Sequence, residues 1–376
     1  MKIYYLFYSI FFFVKQAFSK KHYRIIFYSP HHFNRGKNTE NLFFKDLLDV
    51  CKIHDISFLY LEEPDIYSNQ KRSKTAIPFD FIYYLIIFLR KFMHSEMSSI
   101  EIDKRLGYSV KRIFFRNITF DNYITISQSM LSFFSGINSE AKQFDLQHGI
   151  IHSKKESYLY EGAVSNNLQE NDAHLLLSGD AYKDILIKNE KKDYFQNHIQ
   201  VIGVSIFDDK YVFSSELNKN VLVSLQFTQD HSKTENKQIS DSLVQQIKKE
   251  STFHFYLKNH PRFNNEVDLT QFASLPNVSL ISWDLKDGLT KCSFHLTAYS
   301  TVAFEAALQG IPTCFLKSDF SKMNIFNTQY NYPFYSYSLS DLHNNYSACS
   351  LNAKQWAEQF YQPFCRKSFL KVLKDA

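Results

Sequence analysis

Between Arg24 and Leu316 short apolar runs alternate with stretches of helical period, and this restricts the chain to parallel sheets covered by crossover helices. "RIIFYS" (Arg24 to Ser29), "SFLYL" (Ser57 to Leu61), "NYITIS" (Asn122 to Ser127), "FDLQH" (Phe144 to His148), "HLLLSG" (His174 to Gly179) and "IQVIG" (Ile199 to Gly203) read as strands. A helix is predicted from about Asn41 to His54, with Leu42, Phe43, Leu47, Leu48 and Cys51 on one face, and helices fill most of 78–116. The pattern loosens through "FDDKYVFSSELNKN", which reads as a hinge, and then restarts. "NVLVSLQ", "FHFYLK", "NVSLIS", "SFHLTA" and "PTCFL" supply five further strands up to Leu316. The expected fold class is therefore α/β, in two consecutive domains covering 1–205 and 206–376.

Charge is unevenly spread. Residues 1–120 carry 19 Lys/Arg against 11 Asp/Glu, a balance of +8, while the rest of the chain stands at −3. The basic part also holds the aromatic runs "IYYLFYSIFFFV" (Ile3 to Val14) and "FDFIYYLIIFL" (Phe79 to Leu89), the second followed by Arg90 and Lys91. Each falls short of the roughly 20 residues needed to cross a bilayer. Aromatic faces beside Lys and Arg fit a surface lying on anionic lipid, and the expected location is cytoplasmic, peripheral on the inner face of the plasma membrane. A signal-peptide core for the first run is opposed by Lys15, Lys20 and Lys21 where cleavage would fall. The second run is equally readable as a core helix. Five scattered cysteines without a C-x-x-C spacing suggest neither a disulfide framework nor a zinc cluster. No nucleic-acid motif is present, so nucleic acid is not an expected partner.

In open parallel sheets ligands collect at the carboxyl ends of the strands, and the polar clusters of this chain fall there. In the second half Gln226 follows one strand, "KNHPR" with Lys258, His260 and Arg262 follows the next, and "AYSTVAFEAALQGIP" opens where the fourth ends. Ser300 and Thr301 at a helix start, with cationic groups from a neighbouring strand end, are suited to a shared phosphate. Glu305, one turn on, can accept the two hydroxyls of a ribose. A plain N-cap for Ser300 or Thr301, and a turn role for His260, are the bland alternatives.

"LKNHPR" and "YSTVAFEAALQGIP" together resemble the nucleotide-binding half of GT-B glycosyltransferases of bacterial surface polysaccharide assembly, capsule or lipopolysaccharide. The likeness is to bacterial sialyltransferases, Kdo transferases and CDP-glycerol glycerophosphotransferases, which carry a His-Pro motif followed by a Ser-Ser or Ser-Thr motif. It spans roughly Val221 to Leu316. It implies two Rossmann-like domains facing a cleft, with His260 touching the donor phosphate, Ser300 and Thr301 binding it, and Glu305 holding the ribose.

"DLQHGIIH" (Asp145 to His152) looks like the His-Gly turn of the acceptor half of several of these transferases. A histidine there, near its ordinary solution pKa of about 6.5, can take the proton of an acceptor hydroxyl, and His148 is the first candidate base. Glu63 and Asp65, in "EEPD" with Glu62, are the carboxylate alternatives. His31, His32, Asn34, Arg35 and His152 are candidates for binding the acceptor. The acidic triplet that carries the sialyltransferase base is missing, so a sialyl donor is not indicated. An Asp-x-Asp pair is missing too, which predicts no metal on the diphosphate and leaves the leaving group to hydroxyls, Lys258 and Arg262. Without G-x-G-x-x-G a nicotinamide enzyme is disfavoured, and no cofactor is expected beyond the nucleotide-sugar substrate.

The reading is a membrane-associated, inverting, metal-independent glycosyltransferase that moves a sugar from a nucleotide donor on the C-terminal domain to a lipid-linked saccharide acceptor on the N-terminal one. A nucleotide-sugar 2-epimerase pairs two such domains as well. A non-catalytic saccharide- or nucleotide-binding module is the reading from outside enzymology.

Overall fold

The computed structural model describes residues 3–16, 18–36, 39–65, 68, 70–93, 96–205, 217–228, 231–260, 263, 267–317 and 324–374. They form two compact units, Met1–Ile206 with Gln362–Ala376, and Phe207–Tyr361. Most of the expected hinge therefore lies outside the described residues. The expected second domain ran to residue 376, whereas the chain's last segment returns to the first unit. The reason is packing. Cys365 N–H donates to the Ile202 carbonyl at 2.7 Å, and Phe369, Val372 and Leu373 join the core formed by Ile25, Phe27 and Leu146.

The strands of the first unit are β1 (Lys21–Pro30), β2 (Phe58–Glu63), β3 (Ile77–Pro78), β4 (Ile118–Ile126), β5 (Lys142–Leu146), a small antiparallel hairpin of β6 (Leu159–Tyr160) and β7 (Ala163–Val164), then β8 (His174–Leu177) and β9 (Ile199–Val201). Seven of them make one sheet in the order β3-β2-β1-β4-β5-β8-β9, with every neighbouring pair parallel. β1 runs centrally, its Ile25 opposite Phe58 on one side and Asn122 on the other. It is buried from Ile25 onward, which explains its continuous apolar run. The expected helix from Asn41 starts later, at Lys45, because the Asn41 side-chain oxygen accepts the Phe43 and Phe44 N–H groups and holds a turn over 42–44. Gly107 and Gly136 let two helices touch: a Cβ on Gly107 would lie 2.0 Å from the Phe133 carbonyl oxygen, and one on Gly136 would lie 2.1 Å from that of Lys104.

Both aromatic runs are helical. The helix Ile3–Gln16 buries Ser9, Phe13 and Gln16, with the Phe13 ring 5.6 Å from Phe79 and 5.3 Å from Phe115. Its other face, Ile3, Tyr4, Phe7, Phe11 and Val14, is exposed, Phe7 by 64% and Phe11 by 67%. The second run forms the helix Asp80–Arg90, burying Ile82 and Ile86 while Phe88 and nearby Phe92 face outward. No helix among the described residues is long and apolar enough to cross a membrane.

The second unit carries β10 (Asn220–Ser224), β11 (His254–Lys258), β12 (Val278–Ile281), β13 (Phe294–Thr297) and β14 (Thr313–Phe315), all parallel, in the order β12-β11-β10-β13-β14. Its longest helix, Lys233–Lys249, opens on a reciprocal cap between Ser232 and Glu235. Behind the sheet Phe304 stacks on Trp356 at 4.8 Å. Each unit thus reverses its strand order beside its first strand, the Rossmann-like arrangement expected of a GT-B-type chain.

Candidate active-site residues on the two sheets

In the first unit the order reverses between β1 and β4, where a crevice is expected at the carboxyl ends. β1 runs directly into the turn His31–Phe33. Buried His31 accepts the Asp65 N–H on Nδ1 at 2.8 Å, so its hydrogen sits on Nε2; burial and the nearby Arg72 lower its pKa. His32 Nδ1 lies 2.7 Å from Asp65 Oδ2, and Arg35 donates to the His32 carbonyl. Asn34 is buried and donates to Glu62 at 2.6 Å and to the Lys71 carbonyl at 3.2 Å. Of the acceptor-binding candidates, then, His31 and Asn34 brace the loops after β1 and β2.

Glu62 is the centre of that brace. It is 1% exposed, accepts from Asn34, from the Ser73 N–H at 2.8 Å and from Arg72 Nε, and Arg72 also grips Asp80 at 2.9 and 3.2 Å. A buried guanidinium between two carboxylates fits the planar fork of arginine. Glu63 stands outside this network, and burial pushes its carboxyl up to about 7.

β4 ends in three non-glycine residues of left-handed backbone, Ser127 (φ 60°), Gln128 (φ 55°) and Met130 (φ 57°). Such residues cost on the order of 1–3 kcal/mol each and persist only where surroundings enforce them. At Gln128 the enforcing group is Asp145 of β5. Fully buried, it accepts the Gln128 N–H at 2.7 Å and the Tyr158 hydroxyl at 3.1 Å, and burial pushes its carboxyl up to about 7. The turn presents the Ser127 hydroxyl to His148, with Oγ 3.1 Å from Nε2. Phe33 meets the same imidazole edge-on at 5.3 Å. Burial first, then Lys155, His32 and Arg35, lowers the His148 pKa to about 4, so the ring is neutral at pH 7 and able to accept a proton. Beyond it, Gly149 has open space where a Cβ would stand. His152 accepts the Lys154 N–H within its own loop at 3.3 Å.

In the second unit the reversal lies between β10 and β13. Gln226 Oε1 accepts the Tyr299 N–H at 2.8 Å and so ties the two strand ends together. His260, after β11, lies one strand beyond β10, about 10 Å across from β13 at ordinary strand spacing. All these ends belong to the same edge. Lys258 Nζ donates to the Trp283 carbonyl, on the β12 side. Ser300 is buried; its Oγ accepts the Val302 N–H at 3.3 Å while its own N–H donates to Thr297. Thr301 is exposed at the head of the helix Val302–Leu308 and makes no side-chain cap bond. The side chain of half-buried Glu305 makes no hydrogen bond among the described residues, and burial pushes its carboxyl up to about 7. Arg262 lies outside the described residues.

The sequence reading missed several participants. Ser127, Asp145, Arg72 and Asp80 act through tertiary contacts that no local spacing announces. His231, buried after β10 and bonded to the Tyr299 hydroxyl, has no partner for its Nδ1 among the described residues, beside the Gln226 brace. Its position in "FTQDHS", just past a strand end, was the available signal.

No protein-family model and no curated protein matches the sequence. Solved structures do match. A UDP-GlcNAc 2-epimerase from Methanocaldococcus jannaschii aligns at TM-score 0.55 and 12% identity, over 95% of this chain and 100% of that one. The UDP-GlcNAc 2-epimerase from Neisseria meningitidis, bound to UDP-GlcNAc, gives 0.52 and 11%, with 95% and 100% covered. The wall teichoic acid polymerase TagF gives 0.47 and 13%, with 100% and 97% covered. At this identity the likeness to the epimerases is one of fold, and it defines the class: an α/β chain of two Rossmann-like units of GT-B type.

Proposed function

We propose that the chain is a glycosyltransferase of cell-surface polysaccharide synthesis, taking its sugar from a nucleotide-activated donor. The observation that carries this reading is His148, a neutral, half-buried imidazole at a strand carboxyl end with a hydroxyl 3.1 Å from its Nε2. An acceptor hydroxyl bound there gives its proton to the imidazole as its oxygen bonds to the anomeric carbon. The bond from that carbon to the donor phosphate breaks with inversion, and the nucleotide leaves as an anion. Ser300, Thr301, His260 and Arg262 are the groups proposed to meet its charge without a metal, and Glu305 to bind the ribose.

The acceptor is proposed to be a lipid-linked saccharide. The exposed aromatic face of the helix Ile3–Gln16, with Lys15 in its last turn and Lys20 and Lys21 beyond, supports a seat on an anionic membrane surface, on the cytoplasmic side where such donors are found. Incubation with a panel of nucleotide sugars and a lipid-linked acceptor tests the reading. Acceptor-dependent nucleotide release is expected.

A nucleotide-sugar 2-epimerase is the second reading, favoured by the fold likeness to two UDP-GlcNAc 2-epimerases. Such an enzyme converts one nucleotide sugar into its epimer with no acceptor, so the same incubation separates the two. The exposed aromatic helix face has no role in it.

A further inference from the structure

At the amino edge of the first unit's sheet, opposite the carboxyl ends that carry His148, three further side chains converge. His174 opens β8, His198 immediately precedes β9, and Asp172 lies two residues before His174. Their ligand atoms all lie within 4.8 Å of one another.

The orientation of His198 is fixed twice. Its ring stacks on Tyr194 at 3.9 Å and an interplanar angle of 4°, and its Nδ1 lies 2.7 Å from the Tyr194 carbonyl oxygen. A carbonyl only accepts, so Nδ1 carries the hydrogen. Its other ring nitrogen, Nε2, faces Asp172 Oδ1 at 2.8 Å. A histidine that donates one N–H to a backbone carbonyl while turning its other nitrogen to a carboxylate is oriented as metal ligands are. His174 supplies a third donor: its Nδ1 is buried and has no hydrogen-bond partner among the described residues. Two atoms 2.8 Å apart, each about 2.1 Å from one ion, subtend about 85°, close to the cis angle of a six-coordinate site.

We propose that Asp172, His174 and His198 bind a first-row divalent transition metal ion. Imidazole nitrogens with one carboxylate suit zinc or nickel and not magnesium. The site clamps the starts of β8 and β9 and is separate from diphosphate chemistry, for which no metal is proposed. His174 also lines a cavity of about 270 Å³ with Lys142, Gln200 and Lys371, so an ion there borders space for water or a small anion to complete its shell. The Gln200 side-chain oxygen is buried in the same region, without a partner among the described residues. Lys142 and Lys371 are the cationic groups lining the same cavity.

Calorimetric titration of the chelator-stripped full chain with Zn²⁺ alone, and separately with Ni²⁺, tests this. One equivalent is expected to bind, raising the thermal midpoint, with affinity at least tenfold weaker in His174→Ala and in Asp172→Asn and unchanged in His22→Ala, a surface histidine elsewhere. Asp172 is 84% exposed on its side chain, so its variant folds whatever His174→Ala does. An absence of saturable binding, or binding that Asp172→Asn leaves unaltered, overturns the proposal and leaves a hydrogen-bonded His198–Asp172 pair.

Discussion

Ser127 Oγ lies 3.1 Å from His148 Nε2, joining a left-handed turn at the end of β4 to a histidine that follows β5. Neither residue could hold this arrangement alone. The buried Asp145 carboxylate fixes the turn, Phe33 fixes the ring, and burial keeps the ring uncharged.

Replacing His148 by Ala should lower kcat by roughly 10²–10⁴ with little change in donor affinity, the range for loss of a general base. Because the folded pKa is lowered to about 4, the unfolded chain binds more protons at this site between about 6.5 and 4. This group's contribution to stability is therefore present above about pH 6.5 and is lost as the pH falls through that window. The acid limb of kcat/KM should accordingly lie near 4. A limb at the ordinary histidine value would show that His148 does not act in this state.

Ser127 is proposed to position His148, whose Nε2 lies 3.1 Å from its Oγ. Ser127→Ala should reduce kcat by about tenfold and move the acid limb, because the partner of the imidazole changes, while KM for the donor stays the same. Steady-state kinetics across pH separates this from a loss of folding, which would lower active-site concentration without moving the limb.

The proposed ribose contact of Glu305 uses both carboxyl oxygens as acceptors, which only the ionised group provides, and its folded pKa is raised to about 7. Nucleotide affinity should therefore rise as the pH climbs through about 7. Stability runs the other way: the contribution of the protonated carboxyl is complete below about 4.5 and is lost as the pH rises through about 7. Glu305→Gln should flatten both dependences, measured by thermal shift with and without nucleotide.

Arg72, Glu62 and Asp80 are all nearly buried, with side-chain exposures of 9%, 1% and 3%. Removing one partner of a buried charged group typically costs about 3–5 kcal/mol, so Arg72→Met should sharply lower the denaturation midpoint. An unchanged midpoint would remove this network from the scaffold that supports the loops after β1 and β2.

Phe7→Ser with Phe11→Ser should abolish co-sedimentation with anionic vesicles and leave the thermal midpoint within about 1 °C, since exposed substitutions change stability little. The wild-type chain should bind such vesicles less at high salt.

Much of this architecture is legible in the sequence because buried parallel strands are written as continuous apolar runs. "RIIFYS", "NVLVSLQ" and "SFHLTA" each fall on a strand that the structure places near a sheet centre. Edges are less legible. β3 is only Ile77–Pro78, too short for a period, and the return of the chain's end to the first unit depends on where Phe369, Val372 and Leu373 find a core. At the site, histidines and hydroxyls at strand ends can be named from their positions. Their partners cannot: in the sequence Asp145 is one more strand residue, and only the fold brings its carboxylate to a backbone N–H from another strand end.

The most direct measurement is acceptor-dependent release of nucleotide from a matched nucleotide sugar, comparing wild type with His148→Ala. The account predicts release only when the acceptor is present, with glycosylated acceptor formed in equal amount, and a loss of at least a hundredfold in the variant. Release within a few-fold of wild type in His148→Ala, or conversion of the sugar to its C2 epimer without any acceptor, would contradict it.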